Sequence, residues 1–235
     1  MQNKTRRSRN MPFITLLAIT LGLGAPSYGQ VSKTDFEIAS KEVKGAYTLY
    51  LDLLKLKTAD TPQKQRLKTL LDSLLYDGAA SEAYLAKWEQ EISGKSNKSY
   101  FEKLKLDVTG KYLHIERSTS ACGASCSDDM KVYIINTQTQ KRLSHGDIFV
   151  AAKNADLSKL LKKHLKSGES IDEKELDKSL KDRAYEVSFE KEGVGFHWNK
   201  YQIAVGAAGR FDVVIPRSEI EPYLTPAGRE LLKGE

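Results

Sequence analysis

The stretch from Tyr185 to Ile215, YEVSFEKEGVGFHWNKYQIAVGAAGRFDVVI, carries the patterns that decide the class of fold. Apolar and polar residues alternate along two short segments of it, and the apolar members are Tyr185, Val187 and Phe189, then Val194, Phe196 and Trp198. A period of two on both sides of a Lys-Glu-Gly turn is typical of a β-hairpin with one buried face. Phe211 to Ile215 predicts a further strand.

Four small residues, Gly206 to Gly209, precede this last strand. A glycine pair at this spacing, followed by Arg210, matches the loop of a KH domain, but that loop joins two helices. A dinucleotide-binding turn needs three glycines that open a helix after a parallel strand. The strand-like flanks exclude both phosphate-binding interpretations. Two interpretations stay open: close packing of the backbone within the fold, which we favour, and close approach by a partner.

The region before the strands, residues 32–93, is predicted to be helical. Thr34 to Glu37 has the form of a capping box, and apolar residues behind it recur at spacings of three and four. These apolar residues are Phe36, Ala39, Val43, Tyr47, Tyr50 and Leu54. A second helix is expected to begin near Pro62 and a third to end near Ser93.

From Tyr100 onward the period changes to two, and two helices interrupt the strands between about Asp156 and Leu180. The predicted strands of this part include Leu104–Val108, Tyr112–Arg117 and Met130–Asn136. This order indicates an α+β fold, with a helical N-terminal portion followed by a mainly antiparallel sheet on which the two-helix excursion packs. The predicted segments are a signal peptide at 1–29, a helical region at 30–97 and an α+β domain at 98–235.

The first thirty residues have the order of regions found in a secretory signal peptide. Four basic residues and no acidic one precede an apolar stretch from Met11 to Gly24, and small residues follow it. The apolar stretch is shorter than the roughly 20 residues that a membrane-spanning helix needs. We predict cleavage after Gly29, a periplasmic or secreted location, and no membrane span in the mature chain.

The net charge of the chain, +6 with an isoelectric point near 9.1, comes mostly from this segment. Cleavage removes four basic residues and leaves a mature chain of +2. A nucleic-acid-binding domain is expected to keep a clustered basic face. We therefore exclude nucleic acid as a partner.

Cys122 and Cys126 lie close together in the segment STSACGASCSDD. In an exported protein such a pair is typical of a structural disulfide, which is the interpretation we favour. A redox-active dithiol stays open as an alternative, although such thiols usually lie at a helix N-terminus and these flanks look extended. A metal site with His114 or His145 is a third.

Catalytic motifs are absent from the sequence. It contains no Gly-x-Ser-x-Gly elbow, no His-Glu-x-x-His and no zinc-spaced set of cysteines and histidines. The adjacent Asp128 and Asp129 fall short of a calcium site. His197 is expected to face solvent or a second layer, whereas His145 lies in a predicted loop, where polar residues are often functional. We predict no enzyme activity, no cofactor and no metal.

Two segments, TQTQKRLSHGDIFV and VSFEKEGVGFHWNKYQIAVGAAGRFDVVIPRSEIEPYL, resemble the extracytoplasmic domain of lysozyme-sensing anti-sigma factors of the RsiV type. The same domain is appended to some peptidoglycan deacetylases. The residues that match its motifs are Asp147–Phe149, Tyr201, Ile203–Ala204, Ala207–Gly209 and Val214–Pro216. The resemblance covers about residues 100–224. The chain departs from the pattern at Lys200, where a proline is usual, and at Val205 and Gly206, where Pro-Tyr is usual.

The resemblance implies an α+β fold and, in the best-understood member, direct binding to lysozyme. It implies no enzyme, because the deacetylase activity belongs to a separate domain. We therefore expect a non-enzymatic binding protein of the bacterial envelope that recognises a lysozyme-like protein or cell-wall glycan (peptidoglycan). The candidate binding residues are Tyr201, Gly206, Gly209, Arg210 and His145. Two alternatives are an envelope thiol-disulfide oxidoreductase that uses the two cysteines, and a scaffold that binds through residues 30–97.

Overall fold

A computed structural model of the protein describes residues 31–44, 48–93, 99–123, 125–165, 170–205 and 208–234. The predicted signal peptide and Gly206 lie outside these ranges. The strands formed by the described residues are β1 Phe36–Lys44, β2 Thr48–Leu56, β3 Ser99–Thr109, β4 Tyr112–Cys122, β5 Cys126–Asn136, β6 Lys141–Arg142, β7 Glu186–Glu190, β8 Gly193–Trp198 and β9 Phe211–Pro216. The α-helices are α1 Pro62–Leu75, α2 Ser81–Ser93, α3 His145–Ile148, α4 Asn154–Leu165, α5 Glu173–Asp182, α6 Arg217–Ile220 and α7 Pro226–Lys233.

The strands form two sheets. Strands β1 to β6 lie in chain order in one sheet, and β7, β8 and β9 form a second, antiparallel sheet. Neighbours in the larger sheet are antiparallel except β2 and β3, which run parallel from Thr48↔Ser99 to Leu51↔Glu102. Helices α1 and α2 make the parallel connection between them. The predicted α+β class with a mainly antiparallel sheet is confirmed.

The predicted first helix is wrong, because Phe36–Lys44 and Thr48–Leu56 form the antiparallel pair of strands β1 and β2. The spacing of three and four picked out one subset of an apolar-rich segment. A second subset, Leu49, Leu51 and Leu53, follows a period of two, and these three side chains are at most 3% exposed. Burial of alternate leucines on a sheet face decides the local structure over the helical pattern.

The larger sheet joins strands from both sides of the predicted domain boundary. Strand β2 belongs to the region predicted as residues 30–97, and its parallel partner β3 belongs to the region 98–235. The helices predicted near Pro62 and up to Ser93 are confirmed as α1 and α2. The division of the chain into two domains stays a prediction.

Strands β4 and β5 carry apolar side chains on both faces. Leu113 and Ile115 are fully buried on the face that α1 and α2 cover. Val132 and Ile134 are 4% exposed on the opposite face, which packs against the second sheet and the C-terminal helices. A strand that is apolar on both faces needs a layer on each side. The molecule is therefore layered about these two strands.

The first layer is held by the apolar side of α1. Its first turn is set by Pro62 and by Thr61, whose hydroxyl accepts a hydrogen bond from the amide of Lys64 at 3.2 Å. Leucines one turn apart then face the sheet, and Leu67, Leu71 and Leu75 are at most 3% exposed. In the described part of the chain, no helix is long and apolar enough to span a membrane.

The second layer contains the hairpin that the alternation predicted. Strands β7 and β8 pair in register, from Glu186↔His197 to Glu190↔Gly193, which confirms it. Trp198 is fully buried beneath α5 and donates from its indole nitrogen to the hydroxyl of Ser179 at 2.9 Å. The two predicted helices of the excursion are confirmed as α4 and α5.

A buried ionic cluster ties α2 to the larger sheet. The guanidinium of Arg117 donates to one carboxylate oxygen of Glu102 at 2.8 Å and to the hydroxyl of Tyr84 at 2.6 Å. The hydroxyls of Tyr84 and Tyr100 donate to the same oxygen, each at 3.1 Å. Because Glu102 is fully buried, its charge depends on these partners.

Replacement of one partner of this cluster is expected to destabilise the fold strongly. Arg117→Met leaves Glu102 buried without its counter-charge, and we expect a loss of about 3 kcal/mol in the free energy of unfolding, measured by urea denaturation. The double variant Arg117→Met/Glu102→Leu removes both charges and should regain most of that loss. A double variant as unstable as the single one would contradict the paired role.

Candidate functional site

The loop that follows β8, residues 199–210, is anchored to the larger sheet through Asn199. Its side-chain oxygen accepts from the amide of Met130 at 2.7 Å, and its side-chain nitrogen donates to the carbonyl of the same residue at 3.0 Å. Lys200 adds a hydrogen bond from its ammonium to the carbonyl of Cys126 at 2.6 Å. The loop therefore rests on the first half of β5.

A second anchor holds the middle of the loop. Ile203 is fully buried, and its carbonyl accepts from the amide of Asp172, the N-cap of α5, at 2.8 Å. The neighbouring Ala204 pairs with Ile171 in an isolated β-bridge. Contacts to two separate elements position the residues between these anchors.

Tyr201 and Val205 project from this anchored loop into solvent. Their exposed fractions are 68% and 71%, the largest among the exposed large hydrophobic residues of the described chain. Tyr201 has φ of 70°, a left-handed conformation that is uncommon for an aromatic residue. The ammonium of Lys200 lies 5.2 Å from the centre of the tyrosine ring. Backbone strain of this kind concentrates at binding and switch sites.

Gly209 has a positive φ of 77°, a conformation that glycine adopts without the steric cost that a side chain would bring. A Cβ at this position would meet nothing within 4 Å. The favoured interpretation of the small residues as close packing is therefore wrong at Gly209. Gly206, the other glycine of the pair, lies outside the described residues.

A groove of about 590 Å³ lies beside the end of the loop, where Arg210 and Asp212 form part of its wall. The groove also contains a hydroxyl cluster, an aromatic ring and two exposed carboxylates, contributed by Ser118, Thr119, Ser120, Phe101, Asp128 and Asp129. Arg210 pairs with Asp212 at 2.8 Å. The lining thus offers hydrogen-bond donors and acceptors, with charges of both signs, on a partly open surface.

The two cysteines form a disulfide at the tip of the β4–β5 hairpin. Cys122 and Cys126 face each other in the strand register, with their Cα atoms 4.1 Å apart. Their flanks are strands, so neither cysteine lies at the helix N-terminus that activates redox thiols. His114, considered with them as a metal ligand, lies buried eight residues away on β4, and His145 lies on α3. In the described part of the chain, no group of three or more histidine, cysteine, aspartate or glutamate residues is placed to hold a metal ion.

A serine, a histidine and an aspartate form a hydrogen-bonded chain across the second sheet, which the sequence patterns did not reveal. Ser188 Oγ lies 2.7 Å from His197 Nε2, and His197 Nδ1 lies 2.8 Å from Asp212 Oδ1. Gly195 makes room for it, since a Cβ there would collide with the Ser188 hydroxyl and the Glu190 carboxylate. The detectable signal was that these residues occupy the polar positions of three successive strands.

The hydrogen bonds of Ser188, His197 and Asp212 follow the order found in a catalytic triad, but the serine is not accessible to a substrate. Ser188 is fully buried, and its hydroxyl also lies 3.0 Å from a carboxylate oxygen of Glu190. A nucleophile must reach a substrate carbonyl beside an oxyanion site. His197 is only 6% exposed, on a buried face and not in solvent. We assign these three hydrogen-bonded residues a structural role, which is to link the three strands of the second sheet.

His145 is placed away from the loop. It begins α3, where Ser144 and Asp147 form a capping box, and its ring nitrogen Nε2 lies 2.8 Å from the hydroxyl of Tyr185. The pair lines a second cavity, which shares no lining residue with the groove. Of the predicted binding residues, the structure brings Tyr201, Gly209 and Arg210 into one loop and separates His145 from them.

The acid dependence of stability should report on Asp212. Burial alone would raise the pKa of this carboxyl, but hydrogen bonds from His197 and Arg210 outweigh burial and hold the pKa below its usual value. Stabilisation is therefore full above the unfolded pKa, near 3.9, and is lost as pH falls through the folded pKa. We expect Asp212→Asn to flatten the fall in the free energy of unfolding below about pH 4, measured by denaturation at a series of pH values. Asp128→Asn, the exposed control, should keep the wild-type slope, and an unchanged slope in Asp212→Asn would contradict the assignment.

The disulfide is expected to be structural and stable. Thiol titration should detect no free thiol in native or denatured protein, and the reduction potential should lie below about −300 mV. Replacement of both cysteines by serine should lower the free energy of unfolding by about 2 kcal/mol, because the closed loop is short. A potential near −200 mV or higher would instead support the oxidoreductase alternative.

Comparison with known proteins identifies one segment of the chain that matches a protein family. Residues 146–218 match a family model described as a protein of unknown function, DUF3298. This segment contains α4, α5 and all three strands of the second sheet. A search of the curated proteins found no match.

Two solved structures share the fold. A member of the DUF3298 family from Bacteroides fragilis is 15% identical, with 85% of this chain and 97% of that chain covered and a TM-score of 0.61. A DUF3298 family protein from Pseudomonas aeruginosa is 18% identical, with 81% and 94% covered and a TM-score of 0.54. Neither match bears on the RsiV-type domain in particular, so that resemblance stays a prediction. The chain thus contains a DUF3298 domain at residues 146–218 and shares the fold of two proteins described as DUF3298 family members.

Proposed function

We propose that this chain is an exported, non-enzymatic binding protein of the bacterial envelope that recognises a lysozyme-like protein through the loop from Tyr201 to Arg210. The observation that carries the proposal is the pair of exposed hydrophobic side chains, Tyr201 and Val205, on a loop anchored at both Asn199 and Ile203. An exposed aromatic side chain held in one position is the usual anchor of a protein interface.

The anchors reduce the entropy that binding would otherwise cost. The hydrogen bonds of Asn199, Lys200 and Ile203 fix the backbone on both sides of Tyr201. A preorganised loop converts more of its contact energy into affinity than a loop that must become ordered on binding. This argument supports recognition of a macromolecular surface by a loop of only ten residues.

The departures from the RsiV-type pattern have a structural meaning here. Lys200 replaces the usual proline, and its ammonium bonds to the hairpin tip and lies over the tyrosine ring. Val205 keeps an apolar side chain on the exposed side of the loop. Asp128 and Asp129, both exposed on β5, add negative charge that suits a basic partner.

A second candidate is cell-wall glycan bound in the groove. The lining combines hydroxyls, carboxylates and the ring of Phe101, and sugars offer hydroxyl groups and apolar ring faces that complement such a surface. The volume of about 590 Å³ is in the range of small-molecule sites.

The enzymatic and scaffold alternatives have less support. Ser188 is sealed from solvent, and the disulfide flanks are strands. The apolar side of α1 packs against the sheet through Leu67 and Leu71, so that face is not free for a partner helix. A binding loop accounts for more of the observations than either alternative.

We expect Tyr201→Ala to weaken binding of the purified protein to lysozyme about tenfold or more, because truncation of an interface aromatic typically costs at least 1 to 2 kcal/mol. Isothermal titration calorimetry measures the affinity, and circular dichroism checks the fold. Ile38→Ala is the control, since Ile38 is also an exposed large hydrophobic residue but lies on β1.

A folded wild-type protein that binds no lysozyme would exclude the lysozyme proposal. Sedimentation with purified peptidoglycan then tests the glycan candidate, with Asp128→Asn as the groove variant. Binding to peptidoglycan that Asp128→Asn weakens and Tyr201→Ala leaves unchanged would assign the function to the groove.

A further inference from the structure

A second cavity of about 400 Å³ lies between β5, β6, α3 and the start of β7, separate from the groove and the loop. Its volume falls within the range of small-molecule sites. The lining includes the apolar side chains of Ile134, Ile148 and Val187. It also includes charged and titratable groups. A cavity of this kind suits a molecule with an apolar body and a polar end.

Arg183 is the third charged residue among those that line the cavity, with Arg142 and Glu186. This residue ends α5 in a left-handed conformation with φ of 56°, which turns the chain toward β7. It is exposed, and among the described residues no carboxylate forms an ion pair with it. A guanidinium without an acidic partner is a ready binding group for a carboxylate, which it contacts through two parallel hydrogen bonds.

The other charged groups of the wall are already engaged with the backbone. Arg142 donates to the carbonyl of Val132 at 3.0 Å, and Glu186 accepts from the amide of the same residue at 3.0 Å. Arg142 and Glu186 lie 3.9 Å apart, so their charges largely offset each other. Arg183 therefore gives the wall its net positive charge.

His145 and Tyr185 complete the polar wall as a neutral pair. Burial, with a smaller effect of the Arg183 charge, lowers the pKa of His145 to about 4. Burial also raises the pKa of Tyr185, so its hydroxyl stays protonated. The Nδ1 atom of His145 is buried and has no hydrogen-bond partner among the described residues. The wall thus has spare hydrogen-bonding capacity beside the cation.

We propose that this cavity binds a small organic carboxylate, with the carboxylate on Arg183 and the apolar body against Ile134, Ile148 and Val187. Arg142 and Tyr185 line the same cavity. The proposal does not depend on the protein-binding loop, since the two sites share no residue, and either can fail without the other.

The test uses the purified protein with N-acetyl-dialanine and with its C-terminal amide, in which a neutral group of similar size replaces the carboxylate. Calorimetry should show binding of the acid at least about tenfold tighter than that of the amide, because hydrogen bonds to charged groups are the stronger ones. Arg183→Gln should weaken binding of the acid by a similar factor. Arg229→Gln, an exposed arginine on α7, is the matched control and should bind as the wild type does.

Histidine ring signals in proton NMR locate the bound molecule, since the chain has four histidines and His145 is the one that lines this cavity. We expect the His145 signal to move on addition of the acid, and the Arg183→Gln variant to suppress the movement. Equal affinity for acid and amide, wild-type affinity in Arg183→Gln, or absence of saturable binding at millimolar concentrations would each overturn the proposal.

Discussion

The burial of β4 and β5 on both faces is the constraint on which the rest of the structure depends. Leu113 and Ile115 are shielded from water on one face of the sheet, and Val132 and Ile134 on the other. Helices α1 and α2 and the β7–β9 layer therefore lie on opposite sides of the sheet. Both layers then meet the same two strands. The tip of that hairpin, closed by the disulfide, extends beyond the two cores and supports the exposed loop through the carbonyl of Cys126. Core packing and the candidate site are therefore linked by β5.

Contacts with this hairpin and with α5 fix the conformation of the exposed loop. Asn199 pairs with the backbone of Met130, and Ile203 is buried against the start of α5, so the intervening Tyr201 has a fixed position and a strained backbone. The hydrogen-bonded residues Ser188, His197 and Asp212 join three strands, and Asp212 pairs with Arg210 at the end of the loop. These hydrogen bonds connect the strands of the second sheet to the end of the candidate loop, and the triad-like order of atoms is consistent with this structural role.

Much of the second layer was predictable from the sequence because its signals are local. The hairpin, α4, α5 and β9 follow from alternation, capping residues and turns within a few positions. The first two strands were mispredicted because a helical spacing and a period of two overlap in the same apolar segment. The contact that favours the strand, the parallel pairing of β2 with β3, involves residues about fifty positions later in the sequence. The candidate loop was recognised through its glycines and its resemblance to a family. The hydrogen-bonded chain was not, since pairing across strands in space is invisible to spacing along the chain.

The claim that the loop from Tyr201 to Arg210 is a binding surface is tested most directly by hydrogen–deuterium exchange of the protein with and without lysozyme. Binding as proposed predicts slower exchange in residues 199–205 and in the neighbouring hairpin tip around Cys126, with α1 and α2 unchanged. Protection confined to α1 and α2, or no protection anywhere at saturating lysozyme, would contradict it.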